Sequence, residues 1–122
     1  MNQSGKRILV VDDNVSFLDL LVLNLKSEGY EVVGVQDGLQ ALTRAKHEKH
    51  DLIILDLMMP GIGGLKCLEK LLEADPNVKI LIASGHPTNI PVQDFIEAGA
   101  KGFITKPYGL NRIVRAIRDV LD

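Results

Sequence analysis

The sequence predicts an α/β domain, with five parallel strands in one sheet and helices on both faces. Two observations carry that prediction. Short, unbroken apolar runs rich in β-branched residues recur along the chain, as in Ile8 to Val11 and Leu52 to Leu55. Such runs suit strands covered on both faces, which alternating apolar and polar residues would not. Between them lie segments with apolar residues at helical spacing, each reached through a short connection. Five βα units follow in order, and right-handed crossovers then place helices on both sides of a parallel sheet.

The first strand, Arg7 to Val11, runs into Asp12-Asp13-Asn14. Asn14 suits the N-cap of the helix that follows. Leu18, Leu21, Val22 and Leu25 recur at i, i+3, i+4 and i+7 and define its core face. Gly29 stands where a helix ends on a left-handed residue. Tyr30 to Val35 is the second strand, and Asp37-Gly38 turns the chain. Leu39, Leu42 and Ala45 give a weaker helix to about Glu48. The third strand, Leu52 to Leu55, delivers Asp56 where the chain leaves the sheet. Pro60, Gly61, Gly63 and Gly64 force a loop, and a helix spans roughly Leu65 to Ala74. Pro76-Asn77 breaks that pattern, and Val78 to Ala83 is the fourth strand, ending at Ser84-Gly85. After a loop stiffened by Pro87 and Pro91, a short helix ends before Gly99, with Pro91 in its first turn. Lys101 to Thr105 is the last strand, closed by Lys106-Pro107. Leu110, Ile113, Val114, Ile117 and Leu121 form the stripe of the last helix.

The chain has 122 residues, a length that fits one domain. That is enough to bury a core without a metal or disulfide staple. The lone Cys67 lies among helical leucines, suits a reducing compartment and reads as half-buried packing. Residues 1–6 form a polar N-terminal tail without the apolar heart of a signal peptide. No apolar run is long enough to span a bilayer. A formal net charge of −2 argues against a nucleic-acid footprint across the whole domain. His47 and His50 read as a solvated helix end.

The chemistry gathers at the strand ends. The first strand ends in Asp12 and Asp13, the third in Asp56, the fourth in Ser84 and the fifth in Lys106. For these to meet, the first and third strands must be neighbours. The flavodoxin-like strand order 2-1-3-4-5 supplies this and sets the site at the carboxyl ends of the strands. Strands lie about 4.8 Å apart, so three carboxylates share one crevice and repel one another. Mg²⁺ resolves that conflict, since it takes one or two carboxylates together with waters and phosphate oxygens. One carboxylate can then accept a phosphoryl group while a lysine and a hydroxyl meet its charge.

The motifs V-D-D, L-D-L-M-M-P-G, A-S-G, A-G-A-K-G-F and T-K-P, in this order and spacing, resemble the receiver domains of bacterial two-component response regulators. The resemblance covers essentially residues 7–122, which makes that span the receiver domain. It implies a phosphoacceptor switch, with Asp56 phosphorylated by a histidine kinase or histidine phosphotransfer protein. It implies Mg²⁺ held directly by Asp13, Asp56 and the backbone carbonyl of Met58, with Asp12 acting through a water. Lys106 resembles the lysine that contacts the phosphoryl oxygen, with a cis bond to Pro107. Ser84 takes the place of the switch hydroxyl and Phe103 that of the aromatic switch. Phe103 has no hydroxyl, so a switch that depends on a tyrosine hydrogen bond cannot form. Met58 and His86 occupy positions that in the family tune the lifetime of the acyl phosphate.

Helical periodicity sets Leu20 and Leu23 opposite the core face of the first helix, with Phe17 on its flank. They read either as scattered exposed leucines or as the docking face that the family offers its kinase. Arg112, Arg115 and Arg118 read as a solvated stripe rather than as the family's dimer face. The expectation is a cytoplasmic monomer or weak dimer with an unidentified output partner, no membrane contact and no direct nucleic-acid contact. Its only catalysis is its own phosphorylation and dephosphorylation. A receiver excised from a hybrid histidine kinase or a longer regulator would use the same chemistry. An FMN carrier fits poorly, because Asp12 and Asp13 would repel the phosphate. A Mg²⁺-dependent aspartyl phosphohydrolase would place its nucleophile after the first strand and a second acid two residues on, which D-D-N does not match.

Overall fold

The computed structural model describes residues 5–57, 63–84, 91–106 and 109–121. Five strands, β1 (Arg7–Val11), β2 (Glu31–Val35), β3 (Leu52–Asp56), β4 (Lys79–Ser84) and β5 (Gly102–Thr105), form one sheet in the order β2-β1-β3-β4-β5. Every pairing is parallel. Five helices alternate with them: α1 (Val15–Ser27), α2 (Gly38–His47), α3 (Gly64–Ala74), α4 (Val92–Glu97) and α5 (Leu110–Leu121). The fold class and strand order are those the sequence predicts.

Side chains along a strand alternate between its two faces, and the sheet uses that alternation to build two cores. Ile8, Val10, Leu52, Ile54, Leu81, Ala83 and Ile104 pack with Leu18, Leu21 and Leu25 of α1 and Ile113 and Ile117 of α5. Leu9, Val11, Ile53, Leu55, Ile80 and Ile82 pack with Ala41, Cys67, Leu68, Leu71 and Phe95 on the other side. Burying a side chain of this kind contributes on the order of 1.5–3 kcal/mol. A polar residue at a strand's end therefore inherits a direction from the run before it. Asp56, two residues beyond Ile54, falls on the α1/α5 side.

Local signals place the helices. The Asn14 side chain accepts a hydrogen bond from the Phe17 N–H and caps α1, and Asp37 caps α2 by accepting from Gln40. Gly29 follows α1 at φ +103°, a conformation that a residue with a Cβ adopts only under strain. On β2, a Cβ at Gly34 would stand 3.0 Å from both Leu18 and Val22, so glycine lets α1 lie close on this edge strand.

The structure corrects the sequence reading at several positions. Leu39 is exposed, while Gly38 and Ala41 are the buried residues of α2. The helix begins at Gly38, so Leu39 lies in its first turn and faces water. Leu110, at the start of α5, is exposed where the stripe predicted burial, and Pro91 caps α4 from just outside its first turn. Cys67 is fully buried rather than half-buried, and burial pushes its thiol up to about 11. A thiol so placed stays protonated and packs as a small apolar group. No described helix is long and apolar enough to cross a membrane.

His50 differs most from its expected place. It is buried at the amino end of the sheet, with Nε2 3.6 Å from Glu48 and Nδ1 without a hydrogen-bond partner among the described residues. Burial lowers its pKa below 6.5, against the opposing pull of Glu48. The unfolded chain therefore binds a proton on His50 near pH 6.5, whereas the folded chain binds it only at lower pH. His50 contributes stability above pH 6.5 that is lost as pH falls toward the folded value. Urea midpoints of wild type and His50→Phe, measured from pH 7.5 to 5, should converge on this difference: the wild type loses more stability on acidification. Parallel curves would remove this account of His50.

Candidate phosphoacceptor and metal site

The site grows from strand register. Val11 of β1 stands opposite Leu55 of β3, so the chain leaves both strands at one level, with Asp12 after one and Asp56 ending the other. Asp56 is in register with Ala83 of β4, and Ser84 with Thr105 of β5. Four neighbouring strands thus release Asp12, Asp56, Ser84 and Lys106 along a single edge. The Lys106 N–H donates to the Ser84 carbonyl at 2.7 Å, which ties the last strand's exit to the fourth.

Asp12 and Asp56 are 3% and 4% exposed, whereas Asp13 is open to solvent. Each of the three offers a carboxylate oxygen, and these oxygens lie within 4.8 Å of one another. Burial makes such a cluster costly unless positive charge balances it. Lys106 supplies part of that balance. Its Nζ donates to Asp12 Oδ2 at 2.6 Å and lies 3.4 Å from Asp56 Oδ2. Asp12 Oδ1 accepts from the Asn14 N–H at 3.0 Å, so both Asp12 oxygens carry a hydrogen bond. Among the described residues, one ammonium meets two of three clustered carboxylates and leaves the cup negative, the chemistry of a hard divalent cation site.

The family model described as the response regulator receiver domain matches residues 8–118. The chain belongs to the response regulator receiver domain family. It is 36% identical over 118 residues to the chemotaxis protein CheY of Thermotoga maritima, covering 95% of this chain and 98% of that protein. It is equally identical to the DNA-binding response regulator MtrA of Mycobacterium tuberculosis, but spans only about half (51%) of that protein's length. A CheY-like receiver domain from Methanospirillum hungatei superposes with a TM-score of 0.90 at 31% identity, over 96% of this chain and 94% of that one. A response regulator from Burkholderia pseudomallei, crystallised with a phosphorylated aspartic acid, a calcium ion and citrate, superposes with a TM-score of 0.84 at 29% identity, over 96% of this chain and 66% of that one.

Within this receiver domain the sequence-derived site divides in three. Asp12, Asp13, Asp56 and Lys106 come together, and Ser84 is buried at the adjacent strand end. Phe103 is half-buried on β5, with its ring 6.5 Å from that of Phe95 on α4. Met58, His86 and Pro107, and with Pro107 the expected cis bond, lie outside the described residues.

On α1, Leu20 and Leu23 are 59% and 66% exposed, as periodicity requires. Phe17 is different. It is half-buried, packs against the α1/α5 core, and its ring centroid lies 4.8 Å from Lys106 Nζ. Sequence spacing marks Phe17 only as a flank residue. The available clue was its place one turn into a helix that starts at the acids, and that becomes informative only when β5 is known to end nearby.

The ion pairs make a stability prediction. Lys106→Met leaves Asp12 and Asp56 buried with less compensation and should cost about 1–3 kcal/mol at pH 7, discounted because the lysine side chain is partly exposed. Adding Asp12→Asn should restore part of the loss in urea unfolding. Equal midpoints for wild type and Lys106→Met would show that the pair carries no net stability.

Proposed function

We propose that Asp56 accepts a phosphoryl group from a kinase or phosphotransfer-protein phosphohistidine, in a reaction requiring Mg²⁺. The observation that carries this reading is the meeting of Asp12, Asp13, Asp56 and Lys106 at one sheet edge, with the carboxylates within 4.8 Å of one another. The phosphorylated aspartic acid and calcium ion of the Burkholderia pseudomallei relative support it.

The roles follow from position. Asp56 ends a central strand, so its carboxylate is held in place as a phosphorus atom approaches. The carboxylate oxygen attacks phosphorus, the phosphorus–nitrogen bond breaks, and imidazole leaves. Lys106, already within reach of Asp56, meets the charge of the incoming oxygens. Asp13, Asp56 and the Met58 carbonyl would hold the ion, with Asp12 one water away. Both Asp12 oxygens are engaged by Lys106 and Asn14, while Asp13 faces solvent, which favours that division of labour. Bound Mg²⁺ would neutralise the acids and the phosphoryl oxygens so that attack meets less repulsion.

The added charge then acts as a switch. Ser84 is in register with Thr105, and the ring of Phe103 on β5 lies 6.5 Å from that of Phe95 on α4, tilted by 51°. A hydroxyl drawn toward the phosphoryl group lets Phe103 turn inward and biases the surface of α4, β5 and α5. That surface would meet an output domain or partner, and Leu20 and Leu23, with Phe17 at their edge, would meet the phosphodonor protein. The domain would work in the cytoplasm, without itself touching nucleic acid or membrane.

Acetyl phosphate with Mg²⁺ should produce a retarded band on a phosphate-binding gel for wild type, and Asp56→Asn should abolish it. A band that persists in the variant would place the acceptor elsewhere. Leu20→Lys should leave acetyl phosphate transfer unchanged and slow transfer from a phosphorylated histidine donor about tenfold or more. Equal loss from both donors would remove the docking role.

A further inference from the structure

We infer that Phe17 is a positioning residue for Lys106, holding the ammonium in the phosphoryl cup through a cation–π contact. This rests on Asp56 being the phosphoacceptor. The lysine is fixed at two points. Its backbone N–H is bound to the Ser84 carbonyl at 2.7 Å, and its Nζ reaches Asp12 at 2.6 Å and Asp56 at 3.4 Å. Between those points runs a flexible four-carbon stem, and Phe17 limits where it can go. The Phe17 ring centroid lies 4.8 Å from Nζ, inside the range in which the negative face of a ring attracts an ammonium.

Phe17 is itself well anchored, since it packs on the core shared by α1 and α5 and its backbone N–H caps onto Asn14. Side-chain alternation explains why the two meet. Asp12 follows Ile8 and Val10, Asp56 follows Ile54, and Lys106 follows Ile104, all on the sheet face that α1 covers. The acids pull Nζ from the sheet edge while the ring meets it from α1. Phosphorylation needs this ammonium to serve oxygens arriving beside Asp56 instead of Asp12. The ring's face attracts Nζ without tying any one of its N–H bonds to a fixed acceptor, so Nζ can exchange one oxygen partner for another without leaving the cup.

The test uses the full chain, acetyl phosphate and Mg²⁺, with the rate of Asp56 modification as readout. Replacing Phe17 by mono-, di- and trifluorophenylalanine keeps the ring's shape while draining its negative face. The rate should fall stepwise with each fluorine, and Phe17→Leu should lower it roughly threefold to tenfold. In a Lys106→Met background, Phe17→Leu should have no further effect. A flat fluorine series overturns the inference, as does an undiminished effect of Phe17→Leu without the lysine. Either result makes Phe17 a packing residue. Should wild type itself gain no phosphoryl group on Asp56, the proposed function falls and this inference with it. Modification of wild type with a flat series sinks the inference alone.

Discussion

The pairing of β1 with β3 is the constraint on which the rest depends. Because Val11 and Leu55 stand opposite each other, the chain cannot place Asp12 without bringing Asp56 beside it. A slip of one residue would turn one of the acids to the other face of the sheet. The apolar runs of both strands, buried on two sides, hold the register against such a slip. The cost of crowding the acids is set against the burial of the strands that carry them. Lys106 brings part of the compensation from the far side of β4, and its backbone bond to Ser84 makes that reach dependable.

The two cores have unequal relations to the site. Asp12, Asp56 and Lys106 continue the face that α1 and α5 cover, and Phe17 of that face meets the lysine. Ser84 follows Ile82 and Phe103 belongs to the opposite core, where Phe95 of α4 waits. The acids and Lys106 therefore lie on one side of the sheet and the Phe103–Phe95 pair on the other, joined through the exits of β4 and β5.

Much of this was legible from the chain. Runs such as Leu52 to Leu55 reveal buried parallel strands because both faces must be apolar, and Asn14 and Gly29 mark the ends of α1 by simple local chemistry. The acids and Lys106 were legible as a set, since each follows a strand. Burial at the margins was not. Leu39 and Ala41 both lie near the start of α2, and only the packing of that helix decides which one is covered. His50 looks like an exposed polar residue in sequence, yet it is buried beside Glu48, which follows α2. The contact between Phe17 and Lys106 joins residues 89 positions apart, which no periodicity reports.

On the proposed function, the acids at this sheet edge form a specific cup for Mg²⁺ and a phosphoryl group. Titrating ¹⁵N-labelled protein with MgCl₂ and following backbone amide resonances tests it most directly. Saturable shifts confined to the strand exits around Asp12, Asp13 and Asp56, abolished by Asp13→Asn, are expected. Small shifts spread over all surface acids, rising linearly without saturation and unchanged in that variant, would contradict it.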